Sequence, residues 1–418
     1  MRSRLWLALL IVPLASLPAV PAGDKEKGTA ATDITWKKIV IDRKFRSEGV
    51  AIADVNKDGK MDVLTGEWWF EAPDWKPHAI RKNSKEDYTE GEKNVYCNSF
   101  CCWVEDFNGD GWPDLLCVGF PGRPCHWYEN PQGRDEPWKE HLVADNACNE
   151  TPQYVDLFGT GKRVLLMGLQ PQGKGGANEG QMVWLRPGPD PTQPWNIYPI
   201  SGPGQPGKPV PGTFMFYHGL GVGDINGDKR ADVICTAGWW EQPEKGANPN
   251  EPWKFHPADL GPACADMYAY DMDGDGKADV LSSSAHEYGI WWHQQRPGKD
   301  DNPTFLRKDL FPKLVAQTHA LHFVDINGDG LKDLVTGKRW WAHGPKGDVD
   351  PNSPAMVYWF EAKRDKDGVT TFTPHEIDND SGIGTQFTVA DFDGDGLPDV
   401  IVSNKKGTHV FLQQRAKK

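Results

Sequence analysis

The nine residues DMDGDGKAD, starting at Asp271, set side-chain oxygens at alternate positions around two glycines. A hard cation such as Ca²⁺ takes six to eight oxygen ligands at about 2.3–2.6 Å. In this spacing the first, third, fifth and ninth positions supply side-chain oxygens and the seventh offers a backbone carbonyl, while glycine at the sixth permits the tight turn. The candidate ligands here are Asp271, Asp273, Asp275 and Asp279. A second kind of chemistry follows a few residues later, where His286, Glu287, Tyr288 and His293 crowd a tryptophan pair.

The nine-mer recurs along the chain. The other copies offer Asp54, Asn56, Asp58 and Asp62; Asp106, Asn108, Asp110 and Asp114; Asp224, Asn226, Asp228 and Asp232; Asp325, Asn327, Asp329 and Asp333; and Asp391, Asp393, Asp395 and Asp399. Repetition with a matching ninth position predicts structural calcium, up to six ions, and no catalytic metal in these turns. Lys229 replaces the glycine in the copy from Asp224, so binding there is expected to be weaker or distorted. A degenerate copy, DLFGTGKRV from Asp156, carries Phe158, Thr160 and Val164 at ligand positions and is expected to hold no ion.

The elements that position these groups are short strands. Successive copies start 47 to 68 residues apart, a period suited to a four-stranded propeller blade. Each copy follows a β-like run such as VAIA or LHFV and precedes a second, such as DVLTG or DVIVS. An aromatic third run (WWFEAP, GWWEQP, VYWFEA) and a fourth with Trp, Phe or His (WKPHAI, WKFHPA) complete the unit. The last unit lacks a fourth run, and ITWKKIVID at residues 34–42 supplies one from the other end of the chain. The reading is all-β: a seven-bladed β-propeller over residues 33–414, its last blade closed by the N-terminal strand, with 415–418 as a tail.

That topology puts the nine-mers on one face and the remaining links on the other. Links into first strands bring Glu48, Glu150, His218, Asp266, His319 and Gln386 there. Links from second to third strands bring Glu67, His286, Glu287, Tyr288, Lys338, Arg339 and Lys405, and a later link adds Asp378 and Asp380. Carboxylates, imidazoles and cations around one mouth suit acid–base work. Elimination beside a carbonyl or uronate needs a base, an enolate stabiliser and an acid. The assignment is His319 or His286 as base, Arg339 or Lys338 as stabiliser, and Tyr288 or His218 as acid, with Asp266 and Asp378 orienting them. The alternatives are a non-catalytic module that binds a glycan or protein at this face, and a purely structural surface domain. His293, His78, His141, His256 and His375 read as structural. The Trp pairs at 68–69, 239–240, 291–292 and 340–341 read as third-strand packing.

Bulk properties narrow the partners. The 418-residue chain has a net charge of −13 and no basic patch, which disfavours nucleic acid and anionic membrane. The expected partner is a carbohydrate or other small polar ligand, or a protein. Arg2 and Arg4, the apolar run from Leu5 to Leu14 and the small residues before Gly23 read as a signal peptide over 1–22 with a linker over 23–32. The expected location is secreted, periplasmic or cell-surface, without membrane insertion. The eight cysteines, in no zinc-ligand spacing, read as buried thiols with room for one or two bridges.

The nine-mers between β runs resemble the FG-GAP/VCBS repeats of integrin-α-type calcium-binding propellers, a likeness that covers nearly all of the expected mature chain. The aromatic segments GEWWFEAP, AGWWEQP, SAHEYGIWWH and GKRWWAHGP resemble the propeller part of aldos-2-ulose dehydratase-like proteins. That second resemblance implies action on a keto-sugar.

Overall fold

A computed structural model describes residues 34–88, 95–170, 180–205, 207–299 and 302–416. The expected leader and linker, the charged segment 89–94 and most of the glycine-rich stretch 173–180 lie outside them. Among the described residues all regular structure is β-strand, and no helix is long and apolar enough to cross a membrane.

The strands assemble into four-stranded antiparallel meanders. One is Ala51–Ala53, Asp62–Leu64, Trp68–Glu71 and Lys76–Ala79, and another is Leu321–Val324, Asp333–Gly337, Val357–Arg364 and Thr370–Asp378. Lys139–Val155, 17 residues long, serves two meanders. Its first half pairs with Arg123–Glu129 and its second half with Val164–Leu169, with the change of partner at Ala147. Two further meanders join where Leu220–Gly223 runs parallel to Asp266–Tyr270. Only glycine fits at position 221 there, because a Cβ would meet the Met267 carbonyl oxygen at 2.0 Å.

First strands of successive meanders lie side by side around a common centre. The last meets the first through Gln386, whose side-chain oxygen accepts the Val50 N–H at 2.9 Å and the Cys102 N–H at 3.2 Å. Ile34–Asp42 pairs with Gly407–Arg415 along nearly its whole length, which supplies the missing fourth strand as the sequence predicts. The result is a β-propeller-like, all-β fold.

Burial follows from this arrangement. Second strands such as Asp114–Val118, Asp279–Ser283 and Asp333–Gly337 are buried at every residue, because neighbouring sheets cover both faces. Fourth strands such as Thr304–Asp309 face solvent along much of their length. Between them stands a repeated cross-strand pair. His78 stacks on Trp69, His141 on Trp127, His256 on Trp239 and His375 on Trp359, with ring centroids 4.0–4.5 Å apart. The carboxylates of Glu71, Glu129, Glu241 and Glu361 take the outer imidazole nitrogens. These histidines are structural, as expected.

Two expectations need correction. Trp340 and Trp341 lie in the long link after Asp333–Gly337, stacked on each other at 4.0 Å, and not in a third strand. Trp359, in Val357–Arg364, holds that register instead. All eight cysteines are free and buried, so no bridge forms, although Cys102 and Cys117 face each other across adjacent strands.

Two other buried imidazoles set an acid limit. Burial lowers His293 and His409 to about 4, against an ordinary value of 6.5. Between those values the unfolded chain binds protons that the folded chain refuses. The contribution of these two groups to stability therefore falls as pH drops below 6.5 and levels off below about 4. Each residue contributes roughly 3 kcal/mol to that loss and nothing above neutrality. Urea unfolding followed by tryptophan fluorescence at a series of pH values, compared between wild type and His409→Gln, should show the variant lacking its share of this acid limb. An unchanged limb in that variant would mean His409 titrates normally.

Candidate functional site

The acidic turns fold on their own backbone bonds. Asp391 accepts the N–H groups of Gly394 at 2.8 Å and Gly396 at 3.0 Å, and Asp325 accepts those of Gly328 and Gly330 in the same way. The ninth residue reaches back across the turn. Asp399 accepts Phe392 N–H at 2.9 Å and Gln413 N–H at 2.7 Å, tying the turn to the third strand. Asp62, Asp114, Asp232 and Asp333 repeat this pair of bonds.

All six ninth-position aspartates are buried. Burial, helped by the other carboxylates of each turn, pushes Asp62, Asp279 and Asp399 up to about 6 and Asp114, Asp232 and Asp333 up to about 7. Such crowding of carboxylates is the donor chemistry a divalent cation requires. The oxygens of Asp271, Asp273 and Asp275 lie within 4.8 Å of one another, as do those of Asp391, Asp393 and Asp399. These residues fit calcium.

The two divergent copies differ as their sequences imply. Lys229 sits at φ 69° in the place of glycine, and the Arg230 guanidinium lies 2.5 Å from Asp228, where it already balances that carboxylate. Asp156 accepts Thr160 N–H at 2.9 Å and Gly161 N–H at 2.6 Å, so the turn persists without the ligand set. Phe158 there packs edge-on against Trp184.

The opposite strand ends build a cavity of about 400 Å³ lined by Tyr96, Phe100, Phe120, Glu150, Phe216, His218, His286 and His343. Main-chain bonds fix the polar members. Glu150 N–H donates to the Tyr217 carbonyl at 2.9 Å, which sets Glu150 beside His218. Gln317, at φ 60°, turns its carbonyl so that it accepts both His319 N–H and Arg339 N–H at 2.9 Å. Backbone strain at such a point holds two functional side chains in one place.

The side chains form one connected cluster. His218 Nε2 lies 3.0 Å from His286 Nε2 and 3.5 Å from Glu150 Oε2. His319 Nε2 lies 3.3 Å from the same Glu150 oxygen, and Arg339 Nη1 lies 3.2 Å from it. Arg339 Nε donates to Glu48 at 2.5 Å, and Lys405 approaches Glu48 at 3.6 Å. Asp348 lies 3.4 Å from His286 Nδ1 and 2.8 Å from His343 Nδ1.

Burial opposes ionisation of Glu150, but His218, His319 and Arg339 hold it well below the carboxylate range. Burial, reinforced by Arg339, holds His319 well below the usual imidazole value, and burial lowers His286. Two buried nitrogens of the cluster, Nδ1 of His319 and Nη2 of Arg339, have no hydrogen-bond partner among the described residues, and Nε2 of His319, Nδ1 of His286 and Oε1 of Glu48 have only charged neighbours at 3.3–3.6 Å. Unpartnered buried polar atoms clustered at a cavity mark a place built for a ligand.

The fold thus unites His218, His286, His319 and Arg339 with Glu48 and Glu150. The other expected residues lie elsewhere. Lys338 and Arg339 are consecutive in an extended stretch, so their side chains diverge; Lys338 Nζ donates to the Asp350 carbonyl and to Ser353 at 2.8 Å. The Tyr288 hydroxyl donates to Asp350 on the outer loop. Asp266 lies along the central axis against Gln153 at 2.7 Å and Leu321 N–H at 3.0 Å, where burial pushes it up to about 7. Asp378 pairs with Lys38 at 2.8 Å on an outer strand. Sequence reasoning missed His343, Asp348 and the aromatic wall. Phe216 stands two residues before His218, and GKRWWAHGP already displays His343.

Two stretches match repeat families, residues 271–336 an FG-GAP-like repeat and residues 383–410 an FG-GAP repeat. No curated protein matches the chain in sequence. A solved structure of BBS1N in complex with ARL6DN is similar at 10% identity and a TM-score of 0.50, over 92% of this chain and 98% of that one. A lectin from Agrocybe aegerita that recognises non-reducing terminal N-acetylglucosamine aligns over 91% of this chain and 86% of its own, at 16% identity and a TM-score of 0.45. The likeness to the BBS1N structure is one of fold alone. The recurring nine-residue acidic turns, the curled meanders and the two matches together identify FG-GAP repeats on a β-propeller-like fold.

Proposed function

We propose that this is an exported, calcium-stabilised propeller of seven blades that acts on a carbohydrate as a lyase or dehydratase. The blades are the four-stranded meanders, with Ile34–Asp42 completing the seventh. The observation that carries the chemistry is the Glu150–His218–His286 chain facing a cavity with an aromatic wall. The volume is within the usual range for small-ligand pockets.

In the elimination, this chain of groups accepts the carbon-bound proton and returns a proton to the leaving oxygen. The 3.0 Å contact between two Nε2 atoms holds one proton between them, so one imidazole donates while the other accepts. The spare Nη2 of Arg339, beneath Glu150, supplies positive charge where an enolate develops. Tyr96, Phe100, Phe120 and Phe216 offer ring faces and edges to the apolar side of a sugar. That same wall favours the second reading, a glycan-binding site without catalysis.

The test is absorbance of conjugated elimination products from uronate polysaccharides and keto-sugars with calcium-loaded protein. Wild type should generate them, and His286→Gln should slow their formation roughly 10²–10⁴-fold while circular dichroism shows the fold unchanged. A flat trace with folded wild type, alongside saturable glycan binding, would replace the lyase by the binding module.

A further inference from the structure

The geometry points to a second sugar subsite beside the first cavity, one that holds the ring carried by the leaving oxygen and reads a carboxylate on that ring through Arg123. The inference rests on the carbohydrate reading of the first cavity. A separate cavity of about 560 Å³ is lined by Asn98, Arg123 and His126, and it shares Tyr96 and Phe120 with the first. Both volumes lie in the usual range for small-ligand pockets. Tyr96 and Phe120 therefore form a ridge between two adjoining spaces, which is the shape that two linked rings of one oligosaccharide require.

The ridge is held in place. The Phe120 ring packs against Tyr96, Phe100 and Phe216 with centroids 5.4–5.7 Å apart. Its N–H donates to Asn98 Oδ1 at 3.1 Å, and its carbonyl accepts the Arg123 N–H at 3.1 Å. Glycine at 119 leaves room for that Asn98 oxygen, which a Cβ would meet at 2.3 Å. The ridge also stands on the acid–base side of the first cavity. The His343 ring lies 4.8 Å from His286, and the Tyr96 ring lies 6.5 Å beyond His343. β-Elimination breaks a carbon–oxygen bond. The leaving oxygen keeps the electron pair and takes a proton, and the C–H electrons become the new double bond. In an oligosaccharide that oxygen carries the next ring, and the second cavity is where it lies.

The polar lining selects an acidic ring. Arg123 is exposed, and its guanidinium has no hydrogen bond or ion pair among the described residues. The carboxylates of this corner, Glu140 at 3.6 Å and Asp145, act on His126 instead. Arg81 lies beneath Asn98, whose carbonyl it bonds at 3.1 Å, but Glu67 already pairs with it at 3.1 Å. In a chain of net charge −13, a guanidinium without an internal partner beside a cavity is placed for an external carboxylate. It can take one through two parallel hydrogen bonds. The Asn98 amide nitrogen, whose companion oxygen is engaged by Phe120, is left to donate to a sugar hydroxyl.

The experiment is calorimetric titration of full-length, calcium-loaded protein carrying His286→Gln, in which turnover is slow. The probes are uronate monosaccharides, the diuronates built from them and neutral disaccharides of the same linkages. A diuronate should bind at least about tenfold tighter than its monosaccharide and than the neutral disaccharide. Adding Arg123→Gln, at an exposed position, should remove that gain. Adding Arg186→Gln, an exposed arginine on the third strand of the next meander, should preserve it. Equal affinity for one ring and two, equal affinity for neutral and acidic disaccharides, or loss of the gain in both arginine variants overturns the subsite. Elimination by wild type with no gain from a second ring would remove the subsite and leave the lyase standing. The gain without elimination on any substrate would do the reverse, and no binding of any saccharide by the folded protein would remove both.

Discussion

Replacing Arg339 by methionine should lower the unfolding free energy by about 3–5 kcal/mol, because it leaves two buried carboxylates without a counter-charge. Glu48 and Glu150 both bond this guanidinium, at 2.5 and 3.2 Å, and all three residues are buried. Urea unfolding provides the measurement. Adding Glu48→Gln to the variant should restore part of the loss, since one uncompensated charge disappears. Lys38→Met is the contrast. Its pair with Asp378 is partly exposed, with side chains 29% and 17% accessible, and should contribute less than about 1 kcal/mol. If Arg339→Met costs no more than Lys38→Met, the cluster is solvated.

Chelation of calcium should destabilise the protein still further. An ion bound only by the folded state stabilises by about 2.7 kcal/mol per site when its free concentration is a hundredfold above Kd. Several turns acting together should shift the thermal midpoint strongly with calcium concentration. Asp391→Ala should remove one increment, because the oxygens of Asp391, Asp393 and Asp399 converge. Asp156→Ala should leave the calcium dependence unchanged, since that turn has lost its ligands. A midpoint indifferent to calcium would mean the turns are held by their backbone bonds alone.

The turns and meanders were legible because a repeat states each feature many times over. Aspartate recurs at the ninth position of the turn, and Trp stands opposite His across the third and fourth strands of four meanders. The cavity was only half legible. His218 and His319 share one position in the repeat, six residues before an acidic turn, so periodicity brings them to the centre. Arg339 and Lys338 carry the same charge side by side, and only backbone direction separates the one that reaches Glu150 from the one that does not. His343, Asp348 and the displaced Trp340–Trp341 pair belong to an irregular link, where no repeat fixes the side-chain direction. The aromatic wall draws Tyr96 and Phe100 from one link and Phe120 and Phe216 from two others, and has no signature along the chain.

The pairing of Ile34–Asp42 with Gly407–Arg415 bears on how the molecule folds. The contact joins the two ends of the described chain, and bringing distant segments together carries a loop-closure entropy that local meanders escape. Individual meanders can form as their residues emerge, whereas the ring can shut only after the final strand is free. Glu48 follows the closing strand, and its carbonyl accepts the Thr385 hydroxyl at 3.4 Å and the Gln386 N–H at 3.2 Å from the last meander. The anchor of Arg339 is therefore set in the same late event that closes the ring. Competence for ligand then reports completed folding, and a chain stalled before closure has its sheets but no site.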